Sequence, residues 1–245
     1  MTTWPEGYGH KHYRTVDSTN EEARRLAASG ESGPLWMTAD EQTQGRGRRG
    51  RAWASPIRNL SASLLLNPHK PVAECAQLSF VAAIAAADAV AHFAPSIDVK
   101  VKWPNDVLAN RRKICGILLE SASAGAEPHF LAIGIGINLA EFPPETEFPA
   151  TWLAWLGTPA PTVKDALTQL AAGFAKWYDI WREQGFAPVR DAWLARAFNL
   201  GGRINVRLTG GETSGVFEGI DETGALLLRE AQGRVRTIAA GEVFF

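Results

Sequence analysis

Between Gln42 and Trp53 the chain reads Gln-Thr-Gln-Gly-Arg-Gly-Arg-Arg-Gly-Arg-Ala-Trp. Four arginines and three glycines crowd into residues 45–51 with no aliphatic side chain among them, so the segment can build neither a core strand nor an amphipathic helix. It has to be a loop. Glycine lets backbone approach a ligand and takes φ values other residues resist, while arginine offers a planar fork of donors matched to phosphate or carboxylate oxygens. Arg-Gly runs also occur in disordered nucleic-acid-binding tails and in plain solvated loops. Position favours a site: the run is internal, preceded by the apolar segment Leu35–Ala39 and followed by Leu60–Leu66, so it joins two predicted strands. The feature reads as an anion clamp.

Such a clamp suits a small ligand, because the 245 residues carry a formal net charge of −1 and nucleic-acid-binding domains usually carry a clear basic excess. With 46% hydrophobic and 21% charged residues the chain should bury an ordinary core, as one large domain or a main domain plus a small one. Cys75 and Cys115 have no CxxC spacing and no histidine pair nearby, which predicts reduced core thiols in a cytosolic protein. His10, His12, His69, His92 and His129 are scattered, so no structural metal is expected; only His10 and His12, flanking Lys11, could chelate adventitiously. The start, Met-Thr-Thr-Trp-Pro-Glu-Gly, is no signal peptide, and no apolar run is read as approaching bilayer length, so a soluble cytoplasmic protein without membrane partners is expected.

Residues 12–16 read as a short strand. Ser18 with Glu21 fits a Ser-x-x-Glu capping box, predicting a helix that stops at Ser29-Gly30; on that reading Ser18, Thr19 and Asn20 do no more than cap. Leu35–Ala39 and Asn59–Leu66 read as strands. Pro71 opens an alanine-rich helix over 72–93, with Leu78, Val81, Ala82, Ala85 and Ala89 on one core-facing side. Apolar residues alternate through Ile97–Trp103, a half-buried strand, before the turn Pro104-Asn105-Asp106. Strands are expected at Lys113–Glu120 and Phe130–Leu139, where Gly116, Gly134 and Gly136 leave room for a ligand or a second backbone. Residues 141–161, with five prolines, read as an irregular connector. Leu167, Leu170, Phe174, Trp177 and Trp181 mark a long amphipathic helix, followed by a shorter one near 189–198. From 203 on, short β runs separated by glycine turns suggest a small all-β barrel.

Five segments taken together resemble the biotin protein ligases: Ser18-Thr19-Asn20; Gln42 with Gly45–Arg51 and Trp53; Lys102–Asp106; Lys113 with Gly116–Glu120; and Gly134–Asn138. They occur in the family's order, and the likeness extends through Gly219-Ile220-Asp221 and Gly241-Glu242-Val243. The resemblance implies an α+β fold: a mixed β-sheet packed by helices, class II synthetase-like, over residues 1–198, and an SH3-like barrel over 199–245. It implies that biotin's carboxylate attacks the α-phosphate of ATP, and that a lysine of a biotin carboxyl carrier protein then takes the biotinyl group. Position by position, Ser18, Thr19, Asn20 and Gln42 would hydrogen-bond the ureido ring. Arg46, Gly47 and Arg48 would fold over the carboxylate and phosphates, Lys113 would meet the carboxylate, Trp53 would close over the ligand, and Gly116 would belong to the ligand-binding residues. Lys102 would meet a phosphate, Asp106 would orient the reacting amine, and Asn138 would support the nucleotide. Read from the sequence alone, Lys102 only solvates its strand and Asp106 only forms an Asx turn. Mg²⁺ is implied by triphosphate chemistry, without a protein cage.

Some members of the family carry an N-terminal DNA-binding module; only about a dozen residues precede the catalytic pattern here, so a ligase without repressor function is expected. The alternatives are a lipoate or octanoate ligase or transferase of the same fold and a non-catalytic biotin- or nucleotide-binding regulator. Exposed sheet edges could pair two copies into a homodimer.

Overall fold

A computed structural model describes residues 2–54, 56–122, 130–141, 148–157 and 159–245. In chain order the elements are β1 (Gly9–Val16), α1 (Thr19–Ala28), β2 (Leu35–Gln42), β3 (Leu60–Leu66), α2 (Val72–Cys75), α3 (Leu78–Phe93), β4 (Val99–Lys102), β5 (Asp106–Ala109), β6 (Arg112–Ala122), β7 (Phe130–Ile137), α4 (Val163–Gln184), α5 (Phe186–Leu194), β8 (Arg203–Leu208), β9 (Gly211–Ile220), β10 (Leu226–Arg229), β11 (Val235–Ile238) and β12 (Glu242–Phe244). Short 3-10 turns add Arg48–Gly50 and Leu153–Leu156. Residues 142–147 and 158 of the proline-rich connector lie outside the described residues.

The first seven strands form one mixed sheet, ordered β1-β2-β3-β7-β6-β5-β4. Only β1 and β2 run parallel, and α1 supplies the crossover that a parallel pair requires. Alternation then sorts side chains between two faces. In β3 and β7, Leu60, Ala62, Leu64, Ile133, Ile135 and Ile137 join the main core, whose other wall is built from α3, α4 and α5. The opposite face carries Ser61, Ser63, Gly134 and Gly136, and α1 packs over β2, β3 and β7 there through Ala23, Met37, Leu65 and Ala132. The pocket opens where α1 ends, over β7, β6, β5 and β4.

The alanine-rich segment departs from expectation twice. It is broken at Ala76–Gln77, and Gln77 ties the break down by accepting from Trp181 Nε1 at 2.8 Å. Beyond the break, α3 is buried over most of its circumference rather than on one side: Phe80, Ala83, Ile84, Ala86 and Val90 are core residues beside the five named from the sequence. Sheet on one side and α4 with α5 on the other leave solvent little beyond half-buried Asp88 and exposed His92. Val72–Phe93 also meets the length and hydropathy of a membrane span, contrary to the sequence expectation, yet 61% of that window is buried inside the fold.

α4 forms as predicted, with Thr162 Oγ1 accepting from Asp165 N at 3.1 Å and Gly185 at φ 78° ending the helix. Its aromatic stripe is core packing with polar handles: Trp177 Nε1 donates to Asp88 at 2.9 Å and Trp181 Nε1 to Gln77. The last five strands make an antiparallel sheet ordered β11-β10-β9-β8-β12. Among the described residues no ladder joins β11 to β12, so the expected barrel is here an open sheet. It shares the main core through Ile204, Val206, Phe217 and Leu226, and Trp103 Nε1 donates to Gly224 O at 3.0 Å across the junction.

Candidate active site

Strand register builds the floor. Lys102 pairs with Asp106, Asp106 with Gly116, Gly116 with Gly136 and Gly136 with Ser61, so five strands place these residues in one row on the face α1 leaves bare. The two glycines form a strip of naked backbone, and Trp53 lies on it. A Cβ added to Gly136 would stand 2.3 Å from the indole, and one at Gly116 2.9 Å from it. The sequence predicted a close approach at these glycines; what approaches is an aromatic ring of the same chain. At Gly134 the visitor is the Asn20 amide, whose oxygen would sit 2.6 Å from an added Cβ.

At one end of the row Asp106 is buried between two ammonium groups, Lys113 Nζ at 2.6 Å and Lys102 Nζ at 3.3 Å. Burial alone would raise the Asp106 pKa, but the lysines outweigh it and hold the carboxyl below its usual range. Burial dominates at Lys102 instead: its ammonium is pushed below the ordinary lysine value although Asp106 pulls upward. Lys102 also donates to Val243 O at 3.2 Å and stands 3.6 Å from the Phe148 ring centroid. Neither simple reading survives. Lys102 is 5% exposed, so it does not solvate its strand, and the Asp106 carboxylate serves lysines rather than a turn.

The arginine loop stands over this row as a small hairpin. Gly47 N donates to Arg51 O at 2.7 Å and Trp53 N to Gly45 O at 2.9 Å, with the tip turned by Arg49 (φ 57°) and Gly50 (φ 72°). Gly45 must lack a side chain, since a Cβ there would lie 2.5 Å from Trp53 O. The four guanidiniums divide. Arg46 is paired with Glu21 and lies 3.4 Å from Glu120, so it sits on α1 and β6 rather than over the cationic row as expected. Arg49 and Arg51 both reach Glu242, at 3.5 Å for Arg49. Arg48 turns inward, 3.4 Å from both Asn105 Oδ1 and Gly241 O, and among the described residues no carboxylate pairs with it. Desolvation, with Arg49 adjacent, lowers its pKa. It is a half-buried cation with no anionic partner among the described residues.

At the other end α1 begins without its predicted capping box. The Ser18 side chain makes no cap bond, and Glu21 has turned to Arg24 and Arg46, whose charge-assisted bonds outweigh a neutral backbone donor. The side chains near the helix start are instead wired into the pocket wall. Thr19 donates to Gln42 Oε1 from its backbone N (2.9 Å) and from Oγ1 (3.1 Å). Asn20 Nδ2 donates to Leu118 O at 3.2 Å and Glu120 Oε2 at 2.7 Å, and its Oδ1 accepts from Ser63 Oγ at 2.5 Å. Asn138 is buried, donating to Thr151 O at 3.1 Å.

All thirteen residues singled out from the sequence, from Ser18 to Asn138, line one cavity of about 450 Å³. That volume falls within the 300–1,000 Å³ typical of small-molecule sites. Sequence reasoning missed Ser61, Ser63, Asn105, Phe148 and Glu242. The two serines had a signal, being polar residues at i and i+2 in the otherwise apolar Leu60–Leu66; Glu242, distant in sequence, had none as a site residue. Cationic groups above and below a bare backbone strip can hold two acids together in a partly desolvated space, where fixed charge is most effective.

Residues 13–138 match the model of the Biotin/lipoate A/B protein ligase family, and residues 200–245 match the Biotin protein ligase C terminal domain. The chain is 46% identical over 237 residues to the biotin–acetyl-CoA-carboxylase ligase of Paracoccus denitrificans, covering 94% of this chain and 98% of the relative. The ligase of the same description from Mycobacterium tuberculosis is 34% identical, with 92% and 85% covered. The biotin protein ligase of Aquifex aeolicus, solved in complex with biotin and ATP, superposes with a TM-score of 0.83 at 30% identity, covering 96% of this chain and 97% of that one.

Proposed function

The chain belongs to the biotin protein ligase family, and on that premise we propose that its cavity condenses biotin with ATP and passes the biotinyl group to a lysine of a biotin carboxyl carrier protein. In the first step a biotin carboxylate oxygen bonds to the α-phosphorus and the bond to the bridging oxygen breaks, releasing pyrophosphate. In the second the carrier amine attacks the acyl carbon, loses a proton and expels AMP.

Both substrates of the first step are anions, so the barrier is largely electrostatic repulsion. Arg48 from above and Lys113 from below neutralise the carboxylate and the α-phosphate; Lys102 faces the phosphates from the far end of the row. The observation that carries the reading is the half-buried Arg48 guanidinium, without a carboxylate partner among the described residues, facing a floor where two lysines share one carboxylate. Asp106 keeps those lysines in place and offers a carboxylate oxygen to the incoming amine. Ser18, Thr19 and Gln42 bind the ureido ring. The Asn20 amide, with both Nδ2 contacts and its oxygen engaged by protein, holds that wall in shape. Trp53 covers the acyl chain, and Asn138 steadies the segment at Thr151 on the nucleotide side. Triphosphate chemistry implies Mg²⁺, which would arrive with the nucleotide and add positive charge at the phosphates; such an ion needs one or two carboxylates at most from the protein.

Residues 1–198 form the catalytic unit in this reading. Residues 199–245 form an SH3-like unit that presses Glu242 and Val243 onto the pocket. The protein works in the cytoplasm, without nucleic acid. Incubation with biotin, ATP and Mg²⁺ should release pyrophosphate, and adding a carrier domain should shift the mass of one lysine by a biotinyl group. Binding without pyrophosphate release would replace the enzyme with a sensor.

A further inference from the structure

Two carboxylates that do not line the cavity engage the arginine loop at its vitamin end, and neither has a role in the reaction above. Glu21 projects from the first turn of α1; its Oε2 takes Arg24 and its Oε1 takes Arg46. Glu120 comes from β6, its Oε2 accepting from Asn20 at 2.7 Å and its Oε1 lying 3.4 Å from the same Arg46 guanidinium. The pairing is strong enough that Arg46 holds the Glu21 carboxyl below its usual pKa.

We infer that Glu21 and Glu120 are positioning residues that latch the arginine loop shut through Arg46, and so govern how long the acyl-adenylate stays bound. Geometry supports the division of labour. The loop's ion pairs to the N-terminal unit are made by Arg46, near its start, and the inward-facing Arg48, 3.4 Å from Asn105 Oδ1, lies between that latch and the Arg49/Arg51 contacts with Glu242. Arg48 can point into the pocket only while the flanking arginines are held. Glu120 links two parts of the site, since the carboxylate that receives Arg46 also fixes the Asn20 amide, whose oxygen takes the Ser63 hydroxyl. Loop closure and the shape of the vitamin wall are therefore one network. The retention part rests on the ligase reading; the latch itself does not.

The test begins without ligand. Trypsin cleavage at the loop arginines is followed by fragment mass in the wild type, Glu21→Gln, Glu120→Gln, the double variant and Arg46→Gln. Glutamine preserves shape and, at 120, an oxygen for Asn20, so only the charge facing Arg46 is lost. Because the pairs are partly exposed, each single change should speed loop cleavage about threefold and the double about tenfold. Arg46→Gln should match the double variant and add little to it, as expected when all three changes break one interaction. Raising salt from about 0.1 to 1 M shortens screening from about 10 to 3 Å, so wild-type cleavage should climb towards the double variant while the variant stays flat. Cleavage of the double variant at the wild-type rate in low salt would overturn the latch, whatever the chemistry proves to be. With biotin, ATP and Mg²⁺ present, the double variant should form adenylate no faster than the wild type, since Arg48 is held over the pocket less of the time, and should lose it about tenfold faster. Faster cleavage with unchanged adenylate escape would overturn the link to retention.

Discussion

Asp106→Asn deletes the charge that holds two lysines in the pocket floor while conserving shape and one oxygen. Asp106 and Lys102 are each 5% exposed, whereas Lys113 keeps 24% of its side chain in solvent. Two ammonium groups at 2.6 and 3.3 Å share one carboxylate, a net +1; the variant leaves +2 in the same space. Removing one partner of a buried ion pair costs about 3–5 kcal/mol. Lys113 can swing outward and Lys102 cannot, so the loss should fall near the lower end, about 3 kcal/mol. At about 2–4 °C per kcal/mol for a chain of this size, Tm should drop by about 6–12 °C in a calorimetric scan. Adding Lys102→Met removes the stranded cation and should return most of that loss, a coupling that independent sites would not show. Activity should split. Pyrophosphate release persists because the positive charge facing the phosphates remains, while carrier labelling falls about ten- to a hundredfold as the amine loses a charge-assisted partner. An unchanged Tm with undiminished labelling would refute the role given to Asp106.

Four further outcomes follow from the same geometry. Arg48→Ala should speed adenylate dissociation about ten- to a hundredfold, the worth of one charged hydrogen bond, as read in a chase with unlabelled biotin. Gly136→Ala drives a methyl into the Trp53 indole, so the loop should be cut faster by trypsin and adenylate should escape sooner; equal cleavage would contradict the glycine bed. Ser63→Ala leaves buried Asn20 Oδ1 without this donor, costing about 1–3 kcal/mol in denaturant unfolding and raising KM for biotin more than for ATP. Lys102 has a folded pKa below its ordinary 10.5, so in the window between those values the unfolded chain binds more protons and stability rises with pH. Its charge in the pocket is lost through that same window, so pyrophosphate release should begin to decline below 10.5 while the fold is still gaining stability.

Much of this was legible in residue order because the relevant physics is local. Alternation located β4, spacings of three and four located α4, and an arginine-glycine run with no aliphatic residue could only be a loop. What stayed hidden depended on partners distant in sequence. Nothing in residues 78–93 reveals that helices cover the side away from the sheet, so the sequence predicts one buried face where the fold buries most of the helix. The capping box at Ser18 is a sound local motif that failed because Arg46, 25 residues on, competes for Glu21 with a full charge. Glu242 could not be placed over the loop, since only the packing of the C-terminal sheet brings it there. The glycines at 116 and 136 announced a close approach; the register pairing them, and the indole that fills the space, needed the folded sheet.

The claim on which the rest depends is that Arg48 supplies the positive charge under which two anions are joined. A crystal structure with a non-hydrolysable biotinyl-adenylate mimic tests it directly. The Arg48 guanidinium should lie about 2.7–2.9 Å from an oxygen of the phosphate or its surrogate, with Lys113 on the opposite side of the acyl group. A mimic bound in the cavity while Arg48 points into solvent would contradict the clamp.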